Sequence, residues 1–183
     1  MTQQPAFATD PSPTSWTEAD LAALPDDGHR YEIIDGSLIV NPPPAGRHQS
    51  VAANLLVLLH TSATPEWRVV HELGLRLPGA NLIPDIVVLR ASARLGVWHE
   101  ARDVALVVEV ASTSTEFIDR GSKAIAYAEA GIPSYWRVGR DGTLTVHHLV
   151  GDGYAVTAVV KPGDTWDAAV PFPVTIDPAA LVD

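Results

Sequence analysis

Cysteine is absent from the 183-residue chain. Its absence excludes disulfides, thiolate metal ligands and cysteine nucleophiles together, so any metal must be held by oxygen or imidazole. Long apolar runs are missing as well. VALVVEVA, at 104–111, is interrupted by Glu109 and falls well short of the roughly 18 residues that a membrane span requires. Positive charge is scarce: the formal net charge is -10, which repels a polyanion at long range. A nucleic-acid partner would have to meet a local basic face or bridging cations. Lysine is scarcest of all, with Lys123 and Lys161 the only two among twelve basic residues. The opening stretch MTQQPAFATDPSPTSW has neither the basic n-region nor the apolar core of a signal peptide. It reads as a flexible tail over 1–14 on a cytoplasmic protein without membrane contact.

What is present suits a single domain over 15–183. A hydrophobic content of 46% with 19% charged residues argues against disorder, and a chain of this size buries roughly 70% of its unfolded surface. Ser15-Trp16-Thr17-Glu18 has the spacing of a capping box and predicts a short helix over 16–24. Asp35-Gly36, set between RYEII and SLIV, predicts a tight β-hairpin. After Pro42-Pro43-Pro44, the residues Val51, Leu55, Leu58 and Leu59 fall on one face of a long helix over 48–60. Strands are predicted at 67–72, 74–78, 84–89 and 105–110 from their β-branched content. The last two are apolar on both faces and belong at the centre of a sheet.

EFIDRGSKAIAYAEA predicts a second long helix over 116–130, ended by Gly131, with Pro133 preventing its continuation. The segment 134–138 then returns as a strand, parallel to its predecessor through a right-handed crossover. Asp141-Gly142 and Gly151-Asp152-Gly153 divide an antiparallel meander, and Asp177-Pro178 starts a closing helical turn. The fold class is α+β: a mixed β-sheet flanked by two main helices, with an added antiparallel β meander.

Three acidic side chains interrupt apolar strands: Glu32 in RYEII, Asp85 in IPDIVV and Glu109 in LVVEV. A carboxylate buried alone costs several kcal/mol, so each must be neutralised, ion-paired or engaged with a metal. The plainer reading sets each at a strand end, half exposed or paired with an arginine such as Arg76 or Arg90. The functional reading is a hard divalent cation, since Mg²⁺ accepts one or two carboxylates, keeps several waters and polarises a phosphoryl oxygen. Such a site also calls for a fixed positive charge, and Lys123 is the candidate, because a compact ammonium orients or activates water better than a guanidinium. The alternative for Lys123 is a helix-surface ion pair with Asp119 at i-4. His147-His148 does not suggest a metal site, because adjacent strand residues point to opposite faces. No phosphate loop, GxGxxG motif or serine nucleophile elbow is present.

The order YEIIDG, PPP followed by RHQSVAANLL, PDIVVL, LVVEVAS and DRGSKAIAYAEAGIPSYW, spanning about 30–138, resembles the Uma family of restriction-endonuclease-like proteins within the PD-(D/E)XK nuclease superfamily. The resemblance implies a restriction-endonuclease-like fold, with Asp85, Glu109 and the Val110 carbonyl as metal ligands and Glu32 as a further ligand or water-holder. The superfamily signature places a lysine two residues after the strand glutamate, where this chain has Ala111. In families similar to this one a lysine on the following helix takes that role, and Lys123 stands at the matching position. His48 matches a histidine of the family pattern, and approaches phosphate or orders the site unless it is a surface residue at the helix start. Tyr127, at i+4 from Lys123, shares its helical face and either covers the lysine stem, bonds to it, or packs in the core.

These readings converge on a Mg²⁺- or Mn²⁺-dependent endonuclease that hydrolyses phosphodiester bonds of DNA. A homodimer is expected, since two strands must be cut. The alternatives are a non-catalytic member of the fold acting as a scaffold or interaction protein, and a purely structural protein with ion-paired carboxylates. The acidic balance also suits an unidentified protein partner that delivers DNA. If the carboxylates crowd one another around an absent ion, Asp85→Asn should stabilise the ion-free chain.

Overall fold

The computed structural model describes residues 15–94, 96–112 and 121–182. The expected tail over 1–14, the first part of the second helix at 116–120 and Asp119 lie outside the described residues. α1 covers Glu18–Leu21 and is shorter than predicted. Trp16 donates its N–H to Gly36 O at 2.8 Å, so the chain here is tied to the hairpin turn. The capping box forms two residues later, with Thr17 N–H donating to Asp20 Oδ2 at 2.8 Å.

β1 (Arg30–Ile34) and β2 (Ser37–Asn41) form the predicted hairpin. Its turn places both Asp35 and Gly36 at positive φ, 48° and 73°, the left-handed backbone that a two-residue turn of type I′ demands. α2 spans Gly46–Ser62 and buries His48, Val51, Ala52, Leu55 and Leu59; Leu58 is only half-buried. β3 (Trp67–His71), β4 (Gly74–Leu77), β5 (Ala80–Leu82), β6 (Ile86–Arg90), β7 (Trp98–Glu100) and β8 (Val104–Val110) follow. α3 spans Ser122–Glu129, and Gly131 beyond it takes the left-handed conformation, φ 74°. β9 (Ser134–Val138) pairs parallel with β8 as predicted. β10 (Leu144–Val150) and β11 (Gly153–Val160) form the meander. β12 (Trp166–Ala168) and β13 (Val174–Ile176) make a separate ribbon. The closing turn, Pro178–Leu181, is a 3-10 helix whose Asp177 side chain accepts from Ala179 N–H.

The strands divide into two main sheets. One runs β11-β10-β9-β8-β6-β3, the other β2-β1-β5-β4-β7. β6 and β8 lie inside the six-stranded sheet, as their two apolar faces require. Alternation sends Ile86, Val88, Leu106, Val108 and Val110 into one core with Val51, Leu55 and Leu59 of α2. It sends Val87, Leu89 and Val107 into a second core with Leu75, Leu82, Ala126 and Tyr127. The six-stranded sheet is therefore the middle layer, with α2 on one face and α3 plus the five-stranded sheet on the other. Three acidic residues that interrupt apolar strands invite placement on neighbouring strands, but Glu32 comes from the five-stranded sheet and meets the other two across the layer.

Candidate active site

The end of the six-stranded sheet positions two carboxylates face to face. β6 and β8 pair with Ile86 opposite Val108, and one step further sets Asp85 opposite Glu109, where cross-strand side chains are neighbours. Asp85 is 1% exposed and Glu109 2%. Asp85 Oδ2 accepts the Val110 N–H at 2.7 Å. N–H and C=O of one strand residue leave on the same edge, so the Val110 carbonyl also faces the Asp85 side.

Asp85 is held from three directions. Arg30 Nη1 donates to its Oδ1 at 2.9 Å, and His48 Nε2 lies 3.1 Å from its Oδ2. Burial pushes the Asp85 carboxyl up, but the His48 hydrogen bond, the Arg30 charge and the Val110 N–H outweigh it and hold it at about 2, below its ordinary 3.8. Burial opposes the Arg30 charge, yet Asp85, with Glu109 and Glu32 beyond it, holds the guanidinium above its ordinary value. The partner is Arg30, not the predicted Arg76 or Arg90. Arg76 is taken by Glu18 and Glu100 on the surface, and Arg90 lies over the Trp67 ring at 4.3 Å.

Glu32 and Glu109 are joined by one lysine. Lys123 Nζ is 3.0 Å from Glu32 Oε1 and 3.1 Å from Glu109 Oε1, and the side chain is 2% exposed. A helix-surface role for Lys123 is thereby excluded, because α3 turns it inward beside Ala126 and Tyr127. Tyr127 O–H donates to Glu109 Oε1 at 2.6 Å. Burial first, then the charges of Glu109 and Glu32, push its phenol well above the usual range, so it stays a donor. Tyr127 is thus both core residue and polar partner, but its bond goes to Glu109. Glu32 also accepts Ile83 N–H on Oε1 and Asn41 Nδ2 on Oε2, each at 2.6 Å.

The structure brings together Glu32, Asp85, Glu109, Lys123, Tyr127, His48 and the Val110 backbone, and His48 is buried instead of lying on the helix surface. Two members were missed. Arg30 lies two residues before Glu32 on β1, so strand alternation puts both on one face, a signal present in RYE. Asn41 stands opposite Arg30 in the hairpin register, which the Asp35-Gly36 turn fixes.

The donor set suits a hard dication, since carboxylate and carbonyl oxygens are the ligands that Mg²⁺ and Mn²⁺ prefer. Among the described residues no group of three His, Asp or Glu side chains is gathered as a ready-made cage. Arg30 occupies one Asp85 oxygen by a single nitrogen, and its buried Nε has no partner. This one-point contact is weaker than a bidentate fork.

Comparison with known proteins adds family and fold. A family model described as Uma2, "putative restriction endonuclease", matches residues 18–180. The crystal structure of a protein described as a putative nuclease belonging to DUF820, from Anabaena variabilis ATCC 29413, superposes with a TM-score of 0.72 at 17% identity. That match covers 90% of this chain and 96% of the other, and at this identity it shows a shared fold. No curated protein matches the chain. The mixed α+β architecture is that of a restriction-endonuclease-like nuclease, and no described helix is long and apolar enough to cross a membrane.

Proposed function

The chain belongs to the Uma2 family of putative restriction endonucleases, and from that premise we propose that the buried cluster hydrolyses phosphodiester bonds of DNA with the help of Mg²⁺ or Mn²⁺. The observation that carries this reading is the bridging of Glu32 and Glu109 by Lys123, beside an Asp85 that takes the Val110 N–H and the Arg30 guanidinium, a guanidinium that also feels the charges of Glu109 and Glu32. Asp85, Glu109 and the Val110 carbonyl would hold the ion. The chemistry such an ion supplies is polarisation of a phosphoryl oxygen and acidification of water.

The remaining roles belong to the chain. Lys123, fixed between two carboxylates, would supply positive charge opposite the negative charge that develops on phosphorus-bound oxygen. Glu32, itself anchored by Asn41 and Ile83, holds the ammonium in place and accepts a proton-side contact from water. Tyr127 orients Glu109, and His48 orients Asp85. This is the displaced-lysine arrangement that Ala111 requires, with the ammonium delivered by α3 instead of β8. The substrate side needs two strands cut, which favours a homodimer; light scattering at micromolar concentration that gives a monomer mass would remove that part.

One observation favours a second reading. The Arg30–Asp85 pair already neutralises a proposed ligand, which suits a non-catalytic member of the fold serving as a scaffold or interaction protein. Incubation of supercoiled and linear DNA with Mg²⁺ or Mn²⁺ separates the two. Cleavage by wild type, lost in Asp85→Asn and Lys123→Ala, supports the nuclease. An absence of cleavage in all three preparations supports the scaffold.

A further inference from the structure

One buried nitrogen beside the candidate active site has no partner. His48 is 8% exposed and its Nε2 engages Asp85, yet its Nδ1 is buried without a hydrogen bond. His48 Nε2 is taken up by Asp85 Oδ2, which leaves the buried Nδ1 to find its partner in the space beside it. His48 lines a cavity of about 220 Å³ together with Arg47, Val110, Ser112, Gly139 and Arg140. Among the described residues no carboxylate lines this cavity, in a chain whose net charge is -10.

Two independent features add positive potential there. α2 begins at this cavity: its N-cap, Ala45, offers no side-chain acceptor, its first turn contains no acid, and it runs for 17 residues. The first N–H groups of such a helix are a natural anion site. A Cβ built on Gly46 would meet nothing within 4 Å, so the approach is open. Arg47 is also held in place, since its Nη1 donates to Arg140 O at 2.9 Å.

We propose that this cavity takes a backbone phosphate of the nucleic-acid strand, adjacent to the phosphodiester being cut; this inference rests on the nuclease reading. The α2 N-terminus and the two arginines bind the phosphate oxygens. The phosphate, directly or through one water, gives the buried His48 Nδ1 a partner. One water occupies about 30 Å³, so the cavity has room for both. Val110 borders the cavity and also faces Asp85, so a phosphate seated here lies next to the proposed cleavage centre. The scarcity of positive charge elsewhere makes this pocket the local basic face that an acidic chain needs.

Binding, not cleavage, tests this. Anisotropy of a labelled DNA duplex is followed over a salt series, in Mg²⁺ and in EDTA, for wild type, Arg47→Gln, Arg140→Gln and Lys161→Gln. Each arginine variant should bind about tenfold more weakly and lose about 1 from the slope of log affinity against log salt, with an unchanged melting temperature; Lys161→Gln should match wild type. Wild type that binds the duplex while both arginine variants bind equally well overturns the phosphate pocket and leaves the nuclease reading standing. Wild type that binds no duplex overturns both. In that case, ³¹P line broadening of inorganic phosphate by wild type alone would reassign the cavity to a small phosphorylated ligand.

Discussion

The molecule uses the same device twice, one cation shared by two carboxylates, and the two copies differ in almost nothing but burial. On the surface, Arg76 bridges Glu18 and Glu100 with three contacts of 2.7 Å, and all three side chains are 35–52% exposed. Inside, Lys123 bridges Glu32 and Glu109 at 3.0 and 3.1 Å, with no side chain more than 3% exposed. The shorter contacts are the weaker ones. Water screens the exposed trio and competes for its partners, whereas burial shields the inner trio from both. Distance therefore ranks these interactions in the wrong order, and burial ranks them in the right one.

Removing each cation should break the comparison open. Lys123→Met leaves two buried carboxylates without their shared cation and should cost about 3–5 kcal/mol, read as a drop in the urea midpoint at constant slope. Asp85→Asn comes next. It leaves Arg30 partly buried opposite a neutral amide and should cost about 3 kcal/mol. Crowded carboxylates alone would suggest that this substitution stabilises the ion-free chain, and the Arg30 pair reverses that sign. Acid sharpens the same point. The folded pKa of Asp85 is depressed, so its contribution is present above its ordinary 3.8 and is lost as pH falls toward about 2. That contribution is on the order of 2 kcal/mol, so the stability gap between wild type and Asp85→Asn should narrow over this interval in pH-dependent denaturation. Arg76→Ala should be the smallest effect, with a urea midpoint indistinguishable from wild type at physiological salt.

Much of this was legible in the sequence, for local reasons. The hairpin follows from Asp35-Gly36, the central strands from apolar residues on both faces, and the end of α3 from Gly131. Glu32, Asp85, Glu109 and Lys123 stand out because charge interrupts apolar strands and lysine is rare. What failed to show was set by pairing between distant segments. β5 and β7 are three residues long and carry no periodicity to detect. The separation into two sheets depends on β4 pairing with both of them, which no local pattern encodes. Arg30 was overlooked because an arginine at a strand start looks like surface charge until Asp85, 55 residues away, is brought beside it.

On the proposed reading, this cluster is built to receive a divalent ion and is not merely a closed set of ion pairs. The direct measurement is the melting temperature of wild type and Asp85→Asn across a Mg²⁺ and Mn²⁺ titration without DNA. An ion that binds only the folded chain stabilises it by about 2.7 kcal/mol at a hundred times its Kd. Wild type should therefore rise steadily with ion concentration while Asp85→Asn stays flat. Curves that stay flat for both proteins, or that rise in parallel, would contradict the claim and leave Arg30 and Lys123 as the permanent partners of these carboxylates.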